Sequence, residues 1–228
     1  MPGQVVGGEV RVELVGEAPV DDRAETEAAW ANAMATNPRL FDGPMLSFAG
    51  WDERAGVISA RLDRYKRLAV REAIDPDVLQ LGVTLVTRHR DRVLLGLRAH
   101  GTRVYGGLWE LGPSGGVDVP AGGVGGLGID DLIEAGAQEL EEEAGIKASG
   151  VGLTPLAVFE DRIGGSFEVA LEARLRDDAA PSGSPANWEY DDVAWVETCE
   201  VSAFCSRGGV EVIPPTLALM RHLGWLTP

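Results

Sequence analysis

Residues 9–15 alternate polar and apolar, with Val10, Val12 and Leu14 on one side, and this two-residue period predicts a half-buried strand. Asp21 and Asp22 then open a helix that runs to about Ala35, where Asn37-Pro38 ends it. Residues 45–49 and 56–62 predict a hairpin. A short helix follows through Ala73, and Asp75-Pro76-Asp77 has the turn-forming composition of a joint. Beyond the joint the pattern is strand-rich. Residues 81–88 and 92–98 predict a hairpin across His89-Arg90-Asp91, and 104–111 a further strand. Residues 153–161 and 167–175 alternate around Ile163-Gly164-Gly165, and 192–196 follow a Ser/Pro/Gly-rich stretch at 177–185. At the end, Leu217, Met220, Leu223 and Leu226 fall on one side of a helix predicted over 214–226.

The most sharply delimited helix lies between these strands. Leu132, Ile133, Gly136, Ala137, Leu140 and Ala144 recur at helical spacing and form a core-facing stripe. Asp130 and Asp131 sit where an N-cap and first turn favour carboxylates, and Gly145 stands where a helix stops in a left-handed turn. At 100° per residue, Glu139, Glu142 and Glu143 share an arc of roughly 100°, while Glu141 points the other way. Like charges at these spacings repel by a few tenths of a kcal/mol per pair. A hard divalent cation taking oxygen ligands from the stripe reverses that cost. A solvated acidic face presents the same pattern.

What precedes the helix distinguishes these readings. Gly107-Leu108-Trp109-Glu110-Leu111 runs into Gly112-Pro113-Ser114-Gly115-Gly116, and Gln138-Glu139-Leu140-Glu141-Glu142-Glu143-Ala144-Gly145-Ile146 closes the segment. Together they resemble the Nudix box, Gly-x5-Glu-x7-Arg-Glu-U-x-Glu-Glu-x-Gly-U with U aliphatic. The match departs at Gln138, where the pattern has Arg, and at Asp130, where it has Glu. About eight extra residues, glycine-rich and within 119–128, separate Gly116 from Asp130. Three N-terminal stretches, 26–30 (Thr-Glu-Ala-Ala-Trp), 37–44 (Asn-Pro-Arg-Leu-Phe-Asp-Gly-Pro) and 60–67 (Ala-Arg-Leu-Asp-Arg-Tyr-Lys-Arg), resemble the animal UDP-glucose/UDP-galactose diphosphatase branch of that superfamily.

The resemblance implies an α/β fold, a Nudix-type α/β/α sandwich with a mixed central sheet, over 78–228. Residues 1–77 form a small N-terminal α+β domain ahead of it. It further implies hydrolysis of a nucleoside diphosphate linked to another moiety, with Mg²⁺ or alternatively Mn²⁺ as cofactor and a nucleoside diphosphate sugar as small-molecule partner. On the matching positions Glu139, Glu142 and Glu143 are both metal ligands and catalytic residues. Glu189, before the last strand, stands where some members place an extra catalytic carboxylate; a solvated loop is the other reading. Gln138 can still hydrogen-bond to Glu142 one turn on, without the charge an arginine brings, so weaker metal affinity with retained activity is expected.

The substrate side is less marked. Arg61, Arg64 and Arg67, with Lys66, form a basic cluster suited to an anionic ligand. Tyr65 offers a ring for a uracil base or for packing, and Arg98 offers a phosphate contact or a surface charge. Two rivals stay open: another Nudix substrate such as ADP-ribose, and a non-catalytic Nudix-fold nucleotide sensor, which the missing Arg and first Glu motivate.

Composition narrows the setting. A net charge of −16 over 228 residues argues against a nucleic-acid surface, since phosphate backbones recruit Lys and Arg stripes. Two cysteines, Cys199 and Cys205, give neither metal-ligand spacing nor a disulfide framework. With no signal-like leader and no apolar run of membrane length, a cytoplasmic location away from membranes is expected. Nothing in the pattern fixes an oligomeric state.

Overall fold

The computed structural model describes residues 10–120, 126–149, 151–176 and 185–227. Residues 121–125 of the glycine-rich insertion, most of the 177–185 loop and the start of the first predicted strand lie outside the described residues.

The strands form one ten-stranded mixed sheet. Its centre is β4 (Gln80–His89), parallel to β9 (Ser166–Arg174), which pairs antiparallel with β8 (Gly152–Asp161). Along β4 the side chains alternate between two cores, as a strand covered on both faces requires. Leu81, Val83 and Leu85, with Val169, Leu171 and Ala173 of β9, pack on Leu132, Leu140 and Ala144 of helix α4 (Ile129–Ala144). On the opposite face Val86 and Ala170, with Leu95 and Leu111, meet Val201 and Phe204 of α5 (Val201–Cys205) and Leu219 and Met220 of α6 (Pro214–His222). Helix, sheet and helix thus stack as the α/β/α layers expected.

The N-terminal segment continues this sheet. Strand β1 (Arg11–Glu17) runs parallel to β3 (Val57–Arg64), β3 pairs antiparallel with β2 (Pro44–Asp52), and β2 meets β4 at Ser47 and Gln80. Phe48 of β2 stacks on Phe167 of β9 with ring centroids 4.0 Å apart. Helix α1 (Ala24–Thr36) ends at Asn37 as read, and the following short helix is two pieces, α2 (Tyr65–Ala69) and α3 (Arg71–Ile74). Buried Arg71 ties this segment to the β8–β9 turn, donating to the carbonyls of Val78, at 2.8 Å, and Arg162, at 2.9 Å.

Several boundaries differ from the sequence pattern. The 81–88/92–98 hairpin is paired only next to its turn, at Arg88–Val93 and His89–Arg92. Farther along, β4 and β5 (Arg92–Arg98) splay, and a short ribbon enters between them. Its β6 (Trp109–Leu111) pairs with β5, and its β7 (Ser114–Gly116) pairs with Gly82, Val83 and Thr84 of β4. The strand expected over 104–111 shrinks to β6, because Tyr105 and Gly107 take φ of 60° and 81° and turn the chain. The last helix stops at His222, where Gly224 at φ 74° ends it, although Leu223 and Leu226 still pack on the core. Strand β10 (Tyr190–Glu197) closes the far side against β5. Both cysteines are free, and Cys199 is exposed. Among the described residues no helix is long and apolar enough to cross a membrane.

Candidate active site

Helix α4 is held at both ends. Asp131 accepts a 2.7 Å hydrogen bond from the Gly128 N–H at the N-terminus, so the capping position is Gly128 rather than Asp130. Gly145 takes φ 64° at the other end and donates to the Leu140 carbonyl. Between these caps, Gly136 lets the helix lie directly on Leu85 and Leu171, where any side chain would collide. The acidic stripe is therefore pressed towards β7. Glu143 is buried, with its carboxylate 3.4 Å from the Ser114 N–H, and Glu139 occupies the space that a side chain on Gly115 would need.

Glu142 sits differently. It is exposed and accepts a 2.9 Å hydrogen bond from Gln138, the contact expected of the residue that replaces arginine. Glu141 points away and accepts from the Ala148 N–H at 2.9 Å, fixing the turn after the helix.

The loop before β10 completes the cluster. Ala186 donates to the Glu143 carbonyl at 3.0 Å, and the Glu189 carbonyl accepts from Ala99 at 2.7 Å. Anchored this way, Glu189 brings a further carboxylate up to Glu143. Burial, then repulsion from Glu189 and Glu139, holds Glu143 well above the ordinary carboxylate range. Burial and the charges of Glu189, Glu142 and Asp118 push Glu139 up to about 7.

A buried ion pair lies behind the cluster. Glu110 of β6 accepts from Arg98 at 2.6 Å and from the Tyr190 hydroxyl at 2.9 Å. Burial drives the Glu110 carboxyl upward and Arg98 pulls it back. Gly96 and Gly112 leave room for the Tyr190 ring, which a side chain at either position would strike. Glu110, Asp118 and Tyr190 were not singled out from sequence. The alternation Trp109-Glu110-Leu111 reads Glu110 as the outward residue of an edge strand, and only the packing of Tyr190 across Gly96 encloses it.

The sequence-predicted substrate residues divide. Tyr65 and Arg98 line a groove that also takes in Glu189. Arg64 and Arg67 line a separate cavity with Asp21, Asp42 and Asp63, and there they are already neutralised. Arg64 pairs with Asp42 at 3.0 Å, and Arg67 with Asp63 at 2.7 Å and Asp75 at 3.2 Å. Lys66 pairs with Glu27. Arg61 is exposed on β3, in register with Ser47 of β2. Arg64, Lys66 and Arg67 are thus spent on carboxylates outside the acidic cluster. Arg98, too, has its guanidinium engaged by Glu110.

Among the described residues no three His, Cys, Asp or Glu side chains stand in an arrangement that holds a metal ion. The donor chemistry nevertheless fits a hard cation: carboxylates only, Glu143 buried and Glu139 half-buried beside a strand of glycines, and no Lys or Arg ion-paired to Glu139, Glu142, Glu143 or Glu189 among the described residues.

No family model matches the chain, and no curated protein does. Solved structures similar to it include a NUDIX hydrolase from Alicyclobacillus acidocaldarius, at 16% identity and a TM-score of 0.49 over 64% of this chain and 90% of that one. A MutT protein from Methanosarcina mazei Go1 is 21% identical, with a TM-score of 0.45 over 63% and 90% of the two chains. The NUDIX domain of NrtR from Shewanella oneidensis, complexed with ADP ribose, is 18% identical, with a TM-score of 0.43 over 63% and 85%.

Proposed function

We propose that this protein is a Mg²⁺-dependent hydrolase of the Nudix type that cleaves the pyrophosphate bond of a nucleoside diphosphate sugar, UDP-glucose or UDP-galactose, to UMP and sugar 1-phosphate. The observation that carries this reading is the meeting of Glu139, Glu143 and Glu189 beside β7 with no cationic side chain paired to them among the described residues. Gathering buried like charges is unfavourable unless a ligand of opposite charge repays it. Glu139, Glu142 and Glu143 would hold the cation. When bound, it supplies polarised phosphoryl oxygens and a more acidic attacking water.

The chain's own residues do the rest. Glu189, on a separate loop and close enough to act on the Glu143 charge, is the carboxylate that accepts the proton of the attacking water. Tyr65 and Arg98 wall the groove leading to it, the Arg98 charge being already engaged by Glu110. The uridine sugar rests on the resemblance of residues 26–30, 37–44 and 60–67 to the UDP-sugar diphosphatase branch. A pocket built from loops is not set by the fold, so the substrate is decided by assay.

The test is phosphate release, coupled to a phosphatase, from a panel of UDP-sugars, ADP-ribose and dinucleotides, with Mg²⁺, with Mn²⁺ and with EDTA. Metal-dependent turnover of UDP-glucose or UDP-galactose is expected. Turnover of ADP-ribose alone would overturn the uridine assignment, and binding without metal-dependent turnover would make the protein a sensor.

Gly115 gives a second check. A methyl group there meets the Glu139 carboxylate head-on, so Gly115→Ala is expected to displace that carboxylate. A misplacement near 1 Å costs roughly 10²-fold in turnover. Unchanged kcat/KM in the alanine variant would show that Glu139 does not act from beside β7.

A further inference from the structure

A second feature adjoins the carboxylate cluster. The loop after α1, the 101–104 turn and the segment before β10 enclose a groove of about 420 Å³ that opens against Glu189. Two large rings are left in the open there, Phe41 at 76% and Trp188 at 53% exposure. Burying such rings is favourable, and here they stand uncovered on a concave, partly charged surface. The Arg39 guanidinium lies 4.9 Å above the Trp188 ring. Arg103 also lines the groove, with one end tied to the Gly164 carbonyl at 2.5 Å.

Two guanidiniums without a carboxylate partner among the described residues line the groove. The chain carries a net −16, yet among the described residues neither Arg39 nor Arg103 has a carboxylate ion pair, whereas Arg64, Arg67, Arg98 and Arg162 do. Exposed aromatic rings, one of them with a guanidinium over one face, next to guanidiniums without a carboxylate partner match one kind of small molecule: a planar heterocycle carrying a phosphate.

We infer that this groove is the nucleotide subsite, in which Trp188 and Phe41 take the base by stacking while Arg39 and Arg103 take the adjoining phosphate. This deepens the hydrolase reading and rests on it for the direction of the ligand, since the same groove ends at Glu189, where the second phosphate would meet the carboxylates. The N-terminal segment thereby acquires a role that β1–β3 alone do not explain: its 37–41 loop, with Tyr65 and Leu68, walls one part of the subsite. Stacking accepts any base, so the subsite selects nucleotides as a class and leaves the choice of base to groups at the ring edge.

The test is calorimetric binding of UMP and of ribose 5-phosphate to the full chain and to W188A, W188F, F41A and R39A. Base stacking of this kind makes UMP bind roughly 5- to 100-fold tighter than ribose 5-phosphate to the native protein. W188A and F41A are expected to erase most of that difference, W188F to keep it, and R39A to weaken both ligands together. Equal binding of the two ligands to the native chain, or native UMP affinity in W188A and F41A, would overturn the subsite. Binding and turnover separate the two conclusions. Metal-dependent hydrolysis with groove variants that bind UMP normally removes the subsite and leaves the hydrolase. Stacking-dependent UMP binding without any hydrolysis removes the hydrolase and leaves the subsite.

Discussion

Glu143→Gln is expected to cut metal-dependent turnover by about 10²- to 10⁴-fold and, in the same protein, to raise the melting temperature measured in EDTA. The two effects have one cause. Glu143 is buried among Glu189, Glu139 and Glu110, and its ionised form is disfavoured by desolvation and by all three. Glutamine keeps an acceptor for the Ser114 N–H and removes the charge, so the fold is relieved of a repulsion it carries only for the ligand. Each kcal/mol relieved lifts the midpoint by about 2–4 °C in a chain of this length. Differential scanning fluorimetry beside the phosphate assay reads both quantities. A fall in activity accompanied by a fall in melting temperature would mark Glu143 as a structural residue, and the charge cluster as an incidental one.

The acidic stripe was legible because a helix period is a local property. Once the apolar positions 132, 136, 140 and 144 fix which way α4 faces, the placement of Glu139 and Glu143 beside the core follows within a few residues of sequence. The glycine segment was legible as a backbone that could approach closely, and Gly115 does so. That it forms a strand wedged between β4 and β5 was not, since three residues are too few to show a period. The basic cluster at 61–67 misled for a related reason. Arg67 meets Asp63 four residues back, but the partners of Arg64 and Lys66, Asp42 and Glu27, lie 22 and 39 residues away, and no local pattern announces those. Glu110 shows the same limit more sharply. Its partner Tyr190 is 80 residues off, and the pairing depends on the register of β10 on β5 and on the absence of side chains at Gly96 and Gly112.

That buried pair carries the largest stability effect. Arg98→Met is expected to destabilise the protein by about 3–5 kcal/mol in chemical denaturation, because Glu110 is left enclosed with only the Tyr190 hydroxyl to compensate it. The cost comes from the orphaned carboxyl more than from the lost attraction. Removing both charges together, in Arg98→Met/Glu110→Leu, is therefore expected to recover most of the stability, as replacement of buried pairs by apolar side chains commonly does. The double variant also decides what Arg98 does in the groove. If it folds and its KM for the sugar nucleotide is native, Arg98 serves to hold β5, β6 and Tyr190 in place behind the cluster. If it folds and KM rises while kcat holds, the guanidinium face touches substrate as well as Glu110. A single variant as stable as the native protein would show that Glu110 is protonated and needs no partner.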